Sequence, residues 1–128
     1  MESNAEYFNS LTMKTSDIIN KLFQSRDITH LAHLATKSYA EHKALNDYYD
    51  GIIDLTDDLV EMYQGEVGII VINVPQSTVM DSITHLKELC QYIETNKDSQ
   101  FKKSYLLNKV DEILGLIYST IYKLENLK

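Results

Sequence analysis

The sequence predicts an all-α fold, a four-helix bundle in which a long crossover joins the second helix to the third. Three observations predict it. Apolar residues recur at helical spacing through most of the 128 residues. Only four glycines and one proline are available to end a helix. Three of these, Gly65, Gly68 and Pro75, lie in one short stretch that divides the chain into halves, and each half has room for two helices.

Apolar stripes and capping residues predict the helices in order. The predicted bounds are residues 6–37, 39–64, 77–96 and 99–127, in a single domain over residues 1–128. The stripes include Tyr7, Leu11, Ile18 and Leu22, then Leu45, Tyr48, Ile52 and Leu59, then Val79, Ile83, Leu86 and Cys90, then Leu106, Val110, Ile113, Ile117, Ile121 and Leu124. Thr36 or Ser38 can cap the second helix, Ser77 the third, and Asp98 or Ser99 the fourth, because these short side chains accept hydrogen bonds from a first turn. Four amphipathic helices can bury their stripes only against one another, so a bundle is expected.

The segment 65–76 is too apolar for a simple solvent loop. As a strand it would lack a partner in this chain. About 12 extended residues at about 3.3 Å each span nearly the length of a helix of about 25 residues. The segment can therefore run the length of the bundle, so that the third helix begins at the end where the second began. Such a crossover is typical of ferritin-like bundles.

Composition excludes several classes of protein. Twelve Lys and Arg against 19 Asp and Glu give a net charge of −7, so we expect no direct DNA binding. No apolar stretch approaches the roughly 20 residues that cross a bilayer, and the first ten residues do not resemble a secretory signal. The one cysteine, Cys90, suits a reducing compartment and is expected to be buried. A soluble, cytoplasmic protein is predicted.

Histidines and carboxylates around the first helix–helix turn form the candidate site. His30 and His42 lie 12 residues apart across that turn, and Asp57 and Glu61 lie one helical turn apart on a shared face. His42 and Asp57 also lie on similar faces, but about 22 Å of helix separates them, so no single metal ion could join them within one chain. His85, on the third helix, is expected at the surface.

A second copy of the chain could bring these ends together. If two copies pack their second helices antiparallel about a two-fold axis, the histidine end of one meets the carboxylate end of the other. The axis would pass near Gly51, and a close approach of two helices would explain a glycine that costs about 1 kcal/mol inside a helix. The sequence predicts a homodimer with two identical metal sites, each built from both chains.

The stretch from about residue 28 to 65 resembles the Dps family, the dodecameric mini-ferritins that protect DNA during starvation. The histidines and carboxylates of that family correspond here to His30, His42, Asn46, Asp57 and Glu61, and four of the five match in identity and spacing. The run HLATKSYAEHKAL also resembles small phage-encoded relatives of the family. The resemblance implies Fe(II) binding between subunits, oxidation to Fe(III) by peroxide or oxygen, and storage in a hollow shell. Zn(II) is expected to bind in place of iron.

Two features depart from that family. Asn46 stands where the family has a carboxylate, and an amide ligates iron weakly and adds no charge. His33 and Asp50, each one turn further along, are auxiliary candidates. No lysine precedes Lys14, so the family's basic DNA-binding arm is missing. Two functions therefore stay open: a ferroxidase that sequesters iron, as a dimer or dodecamer, and a non-enzymatic binding or structural protein with a degenerate metal site and a protein partner.

Overall fold

The computed structural model describes residues 14–128, which form four α-helices. They are α1 (Asp17–Ala35), α2 (Tyr39–Val67), α3 (Ser82–Gln100) and α4 (Ser104–Asn126). No strand occurs in this part of the chain. The predicted all-α four-helix bundle is confirmed. Residues 6–13, the predicted start of the first helix, lie outside the described residues.

Side-chain caps begin the first three helices. The hydroxyl of Ser16 accepts a hydrogen bond from the backbone N–H of Ile19 at the start of α1. Ser38, one of the two caps predicted for α2, accepts in the same way from the N–H of Glu41. Asp81 caps α3 through the N–H of Thr84, and the hydrogen bonds from this residue hold the pKa of the Asp81 carboxyl below its usual value.

Three helix starts differ from the prediction. Helix α1 was predicted from residue 6, but residues 14–16 are not helical and the helix begins at Asp17, where Ser16 supplies the cap. Helix α3 begins at Ser82 rather than Ser77, because Asp81, four residues after Ser77, supplies the cap. Helix α4 begins at Ser104 rather than near residue 99, because α3 continues through Asp98 and Ser99 as far as Gln100. Lys103 precedes α4 and makes no side-chain capping bond.

Neighbouring helices in the bundle are antiparallel. In each pair of neighbours, a residue near the end of one helix contacts a residue near the start of the other. These contacts are His33 with His42 for α1 and α2, Ser16 with Gln100 for α1 and α3, Asp58 with Lys109 for α2 and α4, and Lys97 with Asp111 for α3 and α4. Helices α2 and α3 are each antiparallel to α1, so they run parallel to each other. They occupy opposite corners of the bundle, and their backbones do not approach each other closely.

The segment 68–81 connects these two parallel helices along the outside of α1. Gly68 ends α2 with φ 93°, a conformation that glycine adopts without strain. The N–H of Val71 then donates to the carbonyl of Lys14, and the N–H of Asn73 donates to Oδ1 of Asn20. Further on, Nε2 of Gln24 donates to the carbonyl of Gln76. The segment therefore advances along α1 in an extended conformation.

Large apolar side chains from all four helices fill the core. Fully buried ones include Ile18, Leu22, Tyr48, Ile52, Leu86, Ile93, Leu106 and Ile113. The predicted stripe of α4, from Leu106 to Leu124, is buried throughout, and so is the thiol-bearing side chain of Cys90. Burial raises the pKa of the Cys90 thiol to about 11. None of the four helices has an apolar run sufficient to span a bilayer.

Candidate functional site

Two histidines join the end of α1 to the start of α2. The imidazole Nδ1 of His33 lies 2.8 Å from the backbone carbonyl of His42, and Nδ1 of His42 lies 3.0 Å from the carbonyl of His33. The two rings stack with 3.6 Å between their centroids. The pair therefore forms a reciprocal clasp that closes the helical hairpin.

These hydrogen bonds fix the tautomer of both rings. A carbonyl oxygen can only accept, so each Nδ1 must carry the hydrogen, and Nε2 of a neutral ring keeps its lone pair. Histidines that bind metals in proteins are commonly oriented by such a bond from the other ring nitrogen. His42 is exposed whereas His33 is only 7% exposed. Of the two rings, that of His42 is therefore the more accessible to a ligand.

Tyr49 connects the histidines to the polar residues of α2. Its ring lies 4.6 Å from the ring of His30 and meets the ring of His33 edge-on at 5.2 Å. Its hydroxyl donates to Oδ1 of Asn46 over 2.8 Å, and Nδ2 of Asn46 lies 3.4 Å from a carboxylate oxygen of Asp50. The one atom of Asn46 that could ligate a metal ion is thus already engaged by Tyr49.

The carboxylates of the predicted site stay far from the histidines. Asp57 and Glu61 are exposed near the other end of α2, about 22 Å from His42 along the helix. Within residues 14–128 neither makes an ion pair, whereas the neighbouring Asp58 lies 3.6 Å from Nζ of Lys109. No three His, Cys, Asp or Glu side chains of the described chain are grouped so as to hold a metal ion. Within one copy the predicted histidine and carboxylate ligands therefore remain apart.

Gly51 has a role that the sequence did not reveal. A Cβ atom at this position would lie 3.2 Å from Cδ2 of Leu116 on α4. The close helix approach that explains this glycine is therefore the contact of α2 with α4 inside the chain. Gly51→Leu would disturb the bundle itself, so the variant is a poor test of whether two copies associate.

A buried hydrogen-bond chain connects three helices, and sequence reasoning missed it. His85 was predicted at the surface, but this is wrong: it is 7% exposed, and its Nε2 lies 2.7 Å from Oγ of Ser25. The hydroxyl of Tyr48 lies 2.8 Å from the same Oγ. The available signal was the position of His85 between the buried Ser82 and Leu89 on one face of α3.

The direction of these bonds follows from the chemistry of Tyr48. Burial raises the pKa of its hydroxyl, so Tyr48 is neutral and has a proton to donate. Ser25 can accept that bond and donate its own proton to Nε2 of His85. Burial, with a smaller contribution from the charge of Lys21, lowers the pKa of His85 to about 4. His85 is thus a neutral acceptor at neutral pH.

Comparison with known proteins places this four-helix chain in a family. Residues 33–124 match the model described as "Family of unknown function (DUF5856)", and the chain belongs to that family. It is also 27% identical over 114 residues to the "Uncharacterized 14.6 kDa protein in mobD-ri intergenic region" of Enterobacteria phage T4, covering 87% of this chain and 88% of the relative. The chain is therefore related to a phage protein. No solved structure matches it.

Proposed function

We propose that the protein is a Dps-like iron-binding protein that oxidises and sequesters Fe(II) at sites shared by two copies. His30 and His42 of one copy and Asp57 and Glu61 of the other would bind each ion. The hydrogen bond from Nδ1 of His42 to the carbonyl of His33 carries the proposal, because it fixes the tautomer whose Nε2 keeps a lone pair, on a residue that is exposed.

The charges on α2 support the same assignment. Asp57 and Glu61 lie one turn apart on an exposed face, and within the described residues no cationic side chain neutralises them. Imidazole and carboxylate together suit Fe(II) better than either Mg²⁺ or Ca²⁺, which prefer oxygen ligands alone. An antiparallel pairing of two α2 helices would place each exposed histidine beside the partner's carboxylates.

Iron is the substrate in this proposal. Each Fe(II) gives one electron to peroxide or oxygen, and the added positive charge favours the carboxylates of Asp57 and Glu61. The imidazoles hold the ion while remaining neutral. Asn46 contributes no charge, and its oxygen is engaged by Tyr49, so oxidation should be slower than with a carboxylate at this position.

Metal binding tests the proposal directly. The purified protein is treated with a chelator and titrated without oxygen with Fe(II), and separately with Zn(II), while its mass in solution is measured. We expect two bound ions per pair of chains, and Asp57→Asn should abolish this binding. Asp98→Asn makes the same chemical change on the exposed surface of α3 and should bind as the parent does.

A second variant tests the site in the opposite direction. Asn46→Asp supplies a carboxylate and should raise both Fe(II) affinity and the rate of oxidation. It also exchanges the Asn46 amide donor for a charge beside Asp50, so stability should fall slightly while metal binding rises. If the parent takes up neither metal and Asn46→Asp changes nothing, the ferroxidase proposal is overturned. The alternative of a non-enzymatic binding or structural protein would then hold.

A further inference from the structure

A small cleft lies between α1 and α3, and we call it the α1–α3 cleft. Its volume is about 170 Å³. The apolar side chains of Ile28, Met80 and Leu89 form part of its wall, and the polar side chains of Lys21 and His85 form another part. A cavity of about 150 Å³ can hold a benzene ring, so the cleft has room for a ligand of about that size.

His85 supplies a hydrogen-bond donor to this cleft. Its Nε2 accepts from Ser25, so Nδ1 of the neutral ring carries the hydrogen. The opposite direction would leave the buried proton of Tyr48 without an acceptor among residues 14–128. Nδ1 makes no hydrogen bond within these residues, and it is not among the unpartnered polar atoms that the protein encloses completely. A buried imidazole that lines the cleft thus has an unpartnered N–H that reaches solvent there.

Lys21 places a positive charge at the same cleft. Its Nζ lies 4.7 Å from the centre of the Tyr92 ring, a cation–π contact that holds the ammonium group against α3. Lys21 makes no ion pair within the part of the chain that the structure describes, although Glu88 also lines the cleft. Burial and then the charge of Lys21 lower the pKa of His85, so the two groups are close enough to act on one ligand.

The chemistry of these groups determines the class of ligand. The imidazole N–H and the ammonium both require an acceptor, and the ammonium favours an acceptor with negative charge. Glu88 is exposed beside the cleft and repels anions, so a ligand with one negative charge fits better than one with two. The apolar part of the wall favours an apolar body on the same molecule. A monocarboxylate meets each of these conditions.

We propose that the α1–α3 cleft binds a small monocarboxylate whose apolar body is about the size of a benzene ring. The carboxylate accepts the N–H of His85 and pairs with Lys21, while the apolar body packs against Ile28 and Leu89. None of the proposed metal ligands lines this cleft. Binding of the carboxylate therefore does not depend on iron.

Benzoate is the probe that tests the site. Metal-free protein labelled with ¹⁵N is titrated with benzoate and followed by NMR. We expect saturable shifts of the backbone signals of residues 21–28 and 85–92 and of the imidazole nitrogens of His85. Benzamide has the same ring without the charge and should bind about tenfold more weakly, because a hydrogen bond to a charged group is lost. Acetate has the charge without the ring and should also bind more weakly.

Three variants identify the groups that bind benzoate. Lys21→Met removes the charge but keeps an unbranched side chain, and should weaken benzoate binding about tenfold while leaving benzamide binding unchanged. Lys37→Met makes the same change on the exposed α1–α2 turn and should bind benzoate as the parent does. Glu88→Gln removes the repelling charge and should strengthen benzoate binding.

Several results would overturn the inference. They are the absence of saturable shifts at the cleft, equal affinities of the parent for benzoate and benzamide, and equal affinities of the Lys21→Met and Lys37→Met variants for benzoate. None of them would affect metal titration of the α2 site, so the two proposals fail separately.

Discussion

At the scale of single residues, the direction of the Tyr48–Ser25–His85 hydrogen-bond chain determines a charge. Protonated His85 would have to donate from Nε2 to Ser25, so the Ser25 hydroxyl would lose the acceptor of its own proton. The cleft beside His85 is lined by Lys21 and Glu88 and opens to solvent between α1 and α3. Protons can therefore reach His85, but the core disfavours their binding.

We predict that acidification below about pH 6.5 destabilises the protein through His85. The pKa of His85 is about 4 in the folded protein and 6.5 for an unperturbed histidine, as in the unfolded chain. Between these pH values the unfolded chain therefore binds more protons than the folded protein. The contribution of His85 to the free energy of unfolding is fully present above pH 6.5. It is lost as the pH falls towards 4, and the loss reaches about 3 kcal/mol. Urea unfolding at several pH values measures it.

His85→Gln provides the control for this prediction. It retains a polar side chain but does not titrate, so its free energy of unfolding should be lower than that of the parent at pH 7 and nearly constant down to pH 4.5. Asp81, whose pKa is lowered, loses its contribution only at still lower pH. A parallel decline in parent and variant would contradict the role given to His85.

At the scale of helices and connections, the capping signal explains which bounds could be predicted. Thr36 and Ser38 were both predicted as possible caps of α2, because both lie in the short gap between two apolar stripes, and the structure selects Ser38. Before α3, several residues from Ser77 onward could cap, and the sequence offers no reason to prefer Asp81. Asp98 and Ser99 are residue types that often cap helices, but here they lie inside α3. Lys103, which precedes the first residue of α4, makes no side-chain capping bond.

Two substitutions test the caps. Ser38→Ala removes the acceptor for the N–H of Glu41 and should lower the free energy of unfolding by about 1 kcal/mol. Lys103→Asp supplies the missing cap of α4 and places a negative charge at a helix N-terminus, so it should raise stability by about 1 kcal/mol. Chemical denaturation measures both. Lys102→Asp makes the same charge change one residue earlier, and an equal gain there would mean that charge alone, without capping, is responsible.

At the scale of the whole molecule, the candidate site shows what the sequence could and could not predict. Helical geometry alone established that His42 and Asp57 are too far apart to share a metal ion. The clasp between His33 and His42, and the contact of Ser25 with His85 across 60 residues, depend on how helices pack. Spacing along one helix carries no information about such contacts.

Net charge predicts how association responds to salt. Each copy carries −7, so long-range repulsion opposes pairing. Raising the salt concentration from about 0.01 M to 0.1 M shortens the screening length from about 30 Å to 10 Å, and dimers should become more abundant. Analytical ultracentrifugation in the presence of a chelator measures this without a contribution from bound metal. Weaker association at the higher salt concentration would show that attraction between charged groups holds the copies together.

The crossover also has a kinetic consequence. It makes α1–α2 and α3–α4 two hairpins with three-residue turns, while contacts between the hairpins join residues as distant as Ser16 and Gln100, 84 positions apart. Short loops close at a lower entropic cost than long ones, so native contacts should develop first within each hairpin and later between them. We expect substitutions at the His33–His42 clasp to slow refolding, and loss of the Ser16–Gln100 bond mainly to accelerate unfolding.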